Sequence, residues 1–187
     1  EVWEHLLFDD AEHVSMLNVL RDRTLKIGSA GKMFSLTGWK VGFACGALAL
    51  TELFAKAHQF LTFTTPPNLQ RGVTYGLGKP ASYFTDMRAA FQRSRDRLKS
   101  ALEGEGFVTL PARGAYFLSI DLAASGIDMS DEAFARHAID HGVATIPFSA
   151  FYANPGAPAL IRLCFAKRDD TLDRGAEALI RAKRALK

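Results

Sequence analysis

The order of apolar runs predicts an α/β first part followed by a compact α+β second part. Three observations carry this. Residues 38–46 hold Val41, Phe43, Ala44 and Cys45 between glycines, an apolar run suited to a buried strand. From Ser82, the residues Phe84, Met87, Phe91, Leu98 and Leu102 recur at helical spacing, which predicts one long helix with a single buried stripe. Beyond Gly106, strand-like runs alternate with amphipathic segments. Pro66-Pro67 and Pro80 bracket a natural division, and the expected domains are residues 1–75 and 76–187.

Element by element, residues 2–8 read as the end of a strand, with a turn at Asp9-Asp10. Residues 24–28 read as a short strand leading into Ser29-Ala-Gly-Lys-Met-Phe-Ser. Residues 51–60 read as a helix with Thr51 as its N-cap. Residues 107–110 and 116–120 read as strands around Pro111-Ala-Arg-Gly. Ser130, followed by Asp131 and Glu132, predicts the start of a helix carrying Phe134, Ala138 and Ile139, ended by Gly142. Residues 143–147 and 160–166 read as strands. Residues 171–187 read as a last amphipathic helix with Leu172, Ala176, Leu179 and Ile180 on one face.

Composition narrows the function classes. The chain has 187 residues, 48% hydrophobic and 23% charged, which is ordinary for a globular domain. The net charge of +3 is spread along the chain, so there is no basic tail for nucleic acid. No apolar run reaches the ~18 residues of a membrane span. The two cysteines, Cys45 and Cys164, lie in apolar runs and are expected as reduced core thiols, consistent with a cytoplasmic protein. No histidine pair has zinc spacing, so no metal is expected. His5, His13, His58, His137 and His141 form no constellation and are expected at the surface or on helices.

The chemistry-bearing stretch is Ile27-Gly-Ser-Ala-Gly-Lys-Met-Phe-Ser-Leu-Thr-Gly-Trp-Lys-Val-Gly-Phe. It sets Lys32 among small residues that let a bulky group approach the backbone. An uncharged lysine amine attacks carbonyl carbons. Ser29 and Lys40 offer a hydroxyl and a charge suited to a phosphate. A phosphate-binding P-loop is excluded twice: Lys26 stands where its first glycine belongs, and Met33 follows Lys32.

The pattern Ser29-x-x-Lys32-(x)5-Gly38-x-Lys40-x-Gly42 resembles the lysine signature of class I/II aminotransferases. These are pyridoxal-5'-phosphate (PLP) enzymes of fold type I. Gly-Ser-Ala-Gly-Lys with Thr-Gly-Trp-Lys-Val-Gly looks most like the kynurenine/glutamine/methionine aminotransferase branch. Glu1-Val-Trp-Glu-His, Gly114-Ala-Tyr-Phe, Ile146-Pro-Phe-Ser-Ala-Phe-Tyr and Leu160-Ile-Arg-Leu-Cys-Phe-Ala-Lys match the family in order.

The resemblance implies the end of a large α/β PLP-binding domain followed by a C-terminal α+β small domain. It implies that Lys32 holds PLP as an imine and later shuttles a proton, and that Ser29 and Lys40 bind its phosphate. Arg162 would pair with the substrate carboxylate, a task suited to a planar guanidinium, and Tyr116 would lie near the substrate. Phe63 and Thr64 match a loop that reaches the partner subunit's site in a homodimer.

Two departures stand out. Trp3 replaces a tyrosine that hydrogen-bonds the cofactor; its indole donates but cannot accept. The acid that pairs with the cofactor's ring nitrogen would lie immediately before Glu1, so a complete site is not expected from these residues alone. The implied activity is ping-pong transfer of an amino group between an L-amino acid and a 2-oxo acid. C–S β-lyase chemistry and a non-catalytic folding or dimerisation module are the alternatives.

Overall fold

The computed structural model describes residues 1–153 and 156–186. They form two compact units, Glu1–Asp86 and Met87–Lys187.

The first unit is organised by an antiparallel hairpin of β1 (Leu25–Ser29) and β2 (Gly42–Gly46), with Leu25 opposite Gly46 and Ser29 opposite Gly42. Between the strands lie a short helix, α2 (Ala30–Met33), and a 3-10 turn, Thr37–Trp39. Ala30 and Val41 are buried with Val73, and Phe34 and Leu69 pack against them. Val73 and Leu69 come from α4 (Pro67–Leu77). Proline's fixed φ and missing N–H suit a first helical position, so Pro67 ends the preceding segment and opens this helix. The sequence reading saw the break but not the helix. It also missed α1 (Met16–Val19), a single turn capped by the Ser15 hydroxyl.

Three expectations are corrected in this unit. Helix α3 (Leu48–Leu61) starts at an Ala47 cap rather than at Thr51. The Thr51 hydroxyl donates to the carbonyls of Ala47 and Leu48, at 3.3 and 3.0 Å, which seats it inside the first turn. The run over 38–46 does contain a strand, β2, but none of its residues Gly42–Gly46 is buried, and Cys45 is exposed because the two-stranded hairpin leaves its face uncovered. His5 is half-buried and stacks on Phe84 with ring centroids 4.2 Å apart.

Helix α5 (Ala81–Glu103) forms as one long helix, but its stripe is buried only at Leu98 and Leu102, while Phe84, Met87 and Phe91 are half-buried. Its step of seven, between Phe91 and Leu98, skips one inward position, and the residue there is Arg95, only 5% exposed. Arg95 donates from Nη1 to the carbonyl of Ala112 and from Nε to Asp96, both at 2.9 Å.

The second unit is a four-stranded antiparallel sheet in the order β3 (Val108–Thr109), β4 (Phe117–Asp121), β6 (Leu160–Cys164), β5 (Ile146–Pro147). Period-2 alternation puts Leu118, Ile120, Ile161 and Leu163 in the core. Phe134 and Ala138 of α6 (Asp131–Asp140) join them, with Leu172, Ala176 and Leu179 of α7 (Asp169–Arg184). Ser130 caps α6 as expected, accepting from the Ala133 N–H at 3.2 Å. Ile139 is 59% exposed, contrary to expectation: the inward arc of α6 runs through Asp131, Phe134, Ala135 and Ala138 and leaves position 139 outside. The strand expected over 143–147 is only its last two residues: the Val143 N–H donates to the Ala138 carbonyl at 3.0 Å, which keeps the start of the segment in the turn closing α6, and Pro147 is tolerated because β5 is an edge strand. Lys187, expected to end the last helix, lies outside the described residues.

Leu118→Ala should lower unfolding free energy by about 3 kcal/mol, because a fully buried leucine on a central strand leaves a cavity. The exposed Val108→Ala should cost under ~0.5 kcal/mol. Urea titration checks both, and equal small losses would contradict this core.

Candidate active site

Ser29, Lys32 and Lys40 sit on one closed loop. Ser29 is the last residue of β1, paired with Gly42, and the Ala30 N–H donates to the Val41 carbonyl at 3.1 Å just beyond the ladder. Every residue from Lys32 to Lys40 therefore lies on a bulge whose two ends are tied. Lys32 is half-buried on the turn of α2. Lys40 is exposed and left-handed, with φ of 56°. That conformation reverses the chain out of the 3-10 turn into β2.

Two glycines make the bulge possible. A Cβ on Gly31 would sit 3.0 Å from the Thr37 Cα, so the return strand of the loop crosses directly over it. The Gly31 carbonyl accepts from the Leu36 N–H at 2.9 Å. Gly28 lies under its cross-strand partner Phe43, whose ring would be 2.3 Å from an added Cβ.

The segment carrying Trp3 is fastened to the same hairpin. Lys26 of β1 pairs with Glu1 at 3.2 Å and Glu4 at 3.5 Å. Glu1 also takes hydrogen bonds from the Ser15 hydroxyl at 3.1 Å and the Met16 N–H at 2.9 Å. Trp3 is 37% exposed, and its carbonyl accepts from the Leu6 N–H at 2.9 Å. One carboxylate oxygen of Glu4, Oε2, is buried with no hydrogen-bond partner.

Lys40 and Thr64 line one cavity of about 490 Å³, together with Trp39, Phe43, His58 and Leu69. Phe63 and Thr64 line a smaller adjoining one of about 220 Å³. Phe63 is 78% exposed with φ of 65°, so the loop holds it outward in a conformation uncommon for a bulky side chain.

In the second unit, Arg162 sits on β6 between Ser119 of β4 and Ile146 of β5. Its guanidinium packs against two rings: Cζ is 4.1 Å from the Phe117 centroid and 4.7 Å from that of Phe151. Cation–π contacts of this kind are worth about 0.5–2 kcal/mol and fix the plane of the cation. The Nε of Arg162 is buried and has no hydrogen-bond partner. A buried donor of this sort costs roughly 1–3 kcal/mol unless something accepts from it. Tyr116 packs beside Phe117, centroids 4.6 Å apart, and beside Phe91 at 6.3 Å.

The pattern of aminotransferases of class I and II matches residues 1–179. The chain belongs to this family. A methionine aminotransferase from Escherichia coli is 36% identical over 182 residues, covering 96% of this chain and 47% of that protein. A kynurenine–oxoglutarate transaminase from Dictyostelium discoideum is 32% identical over 207 residues, covering 98% and 48% respectively. The structure of an N-succinyldiaminopimelate aminotransferase from Mycobacterium tuberculosis matches with a TM-score of 0.90 and 37% identity, over 97% of this chain and 48% of that one. This chain thus spans about half the length of the aminotransferases it matches, and over that half its fold is that of fold type I.

Sequence reasoning overlooked several groups of this aminotransferase half. The rings on Arg162 belong to the motifs Gly114-Ala-Tyr-Phe and Ile146-Pro-Phe-Ser-Ala-Phe-Tyr, in which the resemblance singles out Tyr116 alone. Lys26 was seen only as a misfit to a P-loop.

Glu1 titrates at about 2, below its ordinary 4.5, chiefly through its hydrogen bond with His13. Burial opposes this; Met16, Ser15 and Lys26 add to it. For Lys26, burial pulls the ammonium down, but Glu1 and Glu4 outweigh it and the net direction is upward. A carboxyl with a depressed folded-state value stabilises the fold above its unfolded value and loses that contribution on acidification. The Glu1 clamp should therefore weaken as pH falls from about 4.5 through about 2. Glu1→Gln should flatten the stability–pH curve in that window, read by thermal melts; an unchanged acid limb would refute the clamp.

Proposed function

We propose that this chain is the cofactor-attaching and carboxylate-binding half of a PLP-dependent aminotransferase. The reaction moves an amino group between an L-amino acid and a 2-oxo acid in two half-reactions. The observation that carries this is the closed hairpin bulge holding Lys32, Ser29 and Lys40, in a chain of the aminotransferase family.

The donor set fits PLP in kind. An aldehyde needs an amine, supplied by Lys32. A phosphate ester needs hydroxyl and cationic partners, supplied by Ser29 and Lys40. The Trp3 indole can donate to the phenolic oxygen. When bound, PLP supplies the electron sink for deprotonating the substrate Cα. The Lys32 amine takes and returns that proton. The Arg162 guanidinium, packed against its two rings, orients the substrate carboxylate.

Residues 1–75 would close a large PLP-binding domain and residues 76–187 would form the small domain. The exposed Phe63 and Thr64 would reach the site of a partner subunit in a homodimer. The apolar surface of α3, with Leu53 at 64% and Phe60 at 87% exposure, supports a covered face there. No helix among the described residues is long and apolar enough to cross a membrane. A cytoplasmic enzyme with no metal requirement fits this reading.

In the full-length enzyme, Lys32→Ala should abolish the absorbance of lysine-attached PLP and reduce turnover to background. Retained absorbance would sink the assignment. Arg162→Lys should raise KM for both substrates about tenfold to a hundredfold, the worth of a charge-assisted hydrogen bond, with a smaller change in kcat. Steady-state kinetics would show otherwise if KM stayed put.

A further inference from the structure

We propose that Asp131 is the positioning residue for the substrate-binding arginine, acting through the turn that carries Phe151. This rests on Arg162 being the carboxylate site.

An aspartate in the first turn of a helix normally faces water and serves the helix dipole. Asp131 does not: it is 6% exposed. Its Oδ2 accepts from the Ser149 N–H at 2.7 Å, and its Oδ1 accepts from the Glu132 N–H at 3.0 Å. Burying a carboxylate is costly unless it is hydrogen-bonded, so both oxygens are committed to backbone.

Ser149 lies in the 3-10 turn Phe148–Phe151, which connects β5 to the chain beyond. A turn this short has few internal hydrogen bonds, so its orientation depends on an outside anchor. Asp131 is that anchor, and α6 holds it firmly, since Phe134 and Ala138 of the same helix are fully buried. Within the turn, Phe148 and Phe151 meet edge to face at 6.3 Å. Phe151 then covers one side of the Arg162 guanidinium at 4.7 Å. Phe117, on a central strand, packs against the same guanidinium at 4.1 Å. The Phe117 side is built into the sheet. The Phe151 side hangs on the bond to Asp131, because Phe151 is itself 57% exposed. Without that bond the outer ring drifts, and the guanidinium gains freedom to tilt away from the pose that meets a carboxylate.

The test uses the full-length protein and two readouts. The solvent exchange rate of the Arg162 Nε–H, by NMR, reports the clamp with no ligand present. The dissociation constant for 2-oxoglutarate reports the binding pose. Asp131→Ala should speed the exchange and weaken 2-oxoglutarate by about tenfold, the scale set by small misplacements of a binding group. Asp131→Asn, which keeps an acceptor oxygen for Ser149, should stay within about threefold of the parent. Ser130→Ala removes the cap of the same helix but leaves Asp131 in place. It should lower the melting temperature and change neither readout. If Asp131→Ala does not fold, Ser149→Pro deletes the other end of the same bond and carries the same expectation. Arg162→Lys is the reference. If it weakens 2-oxoglutarate while the Asp131 and Ser149 variants match Ser130→Ala, the positioning role is wrong. If Arg162→Lys leaves binding intact, the carboxylate reading itself fails, whatever the exchange rates show.

Discussion

The first unit depends on the ladder between residues 25–29 and 42–46. The role proposed for Lys32, meeting a reactive carbon, needs a fixed backbone beneath the lysine, and a loop by itself does not provide one. Here the loop is pinned at both ends by paired strands and, one residue further, by the Ala30–Val41 hydrogen bond. The small residues follow from this. Gly31 permits the returning chain to cross at contact distance, and Gly28 leaves room for the Phe43 ring. Lys26 uses the same strand to fasten the segment with Trp3, so one hairpin organises amine, hydroxyl, cation and indole.

The second unit solves a different problem. Arg162 occupies a central strand, where neighbours on both sides limit its backbone. Its side chain lies on the face opposite Ile161 and Leu163, which fill the core. Long cations on such a face commonly wander in solvent. Two aromatic rings prevent this, one supplied by the adjacent strand and one by a turn tied to a helix. The carboxylate of Asp131 converts the rigidity of the core into the placement of an exposed ring.

Much of this was legible in the residues. The stripe from Phe84 to Leu102, the Ser130 cap and the alternation in residues 116–120 and 160–166 each announce an element by period or cap chemistry. What was illegible has physical causes. Helix α4 hid behind two prolines, because a proline both stops one helix and starts another. Thr51 resembles a cap in sequence, but a threonine can satisfy its hydroxyl on a preceding carbonyl as readily as it caps. The apolar neighbours of Cys45 suggest burial, whereas burial depends on whether another element covers that face of the hairpin. Lys32 and Arg162 stand out as site candidates only through motif resemblance. The ring pair and Asp131 could not be: their roles come from contacts between segments far apart in the chain, which no local pattern encodes.

The packing of two rings against one guanidinium also links three positions in evolution. A guanidinium presents two flat faces, and each accepts a ring. A lysine head presents none, so a change at position 162 would strand both aromatics, and losing either aromatic would free the arginine. Positions 117, 151 and 162 should therefore be inherited as a set, covarying across lineages even though they come from three separate stretches of chain.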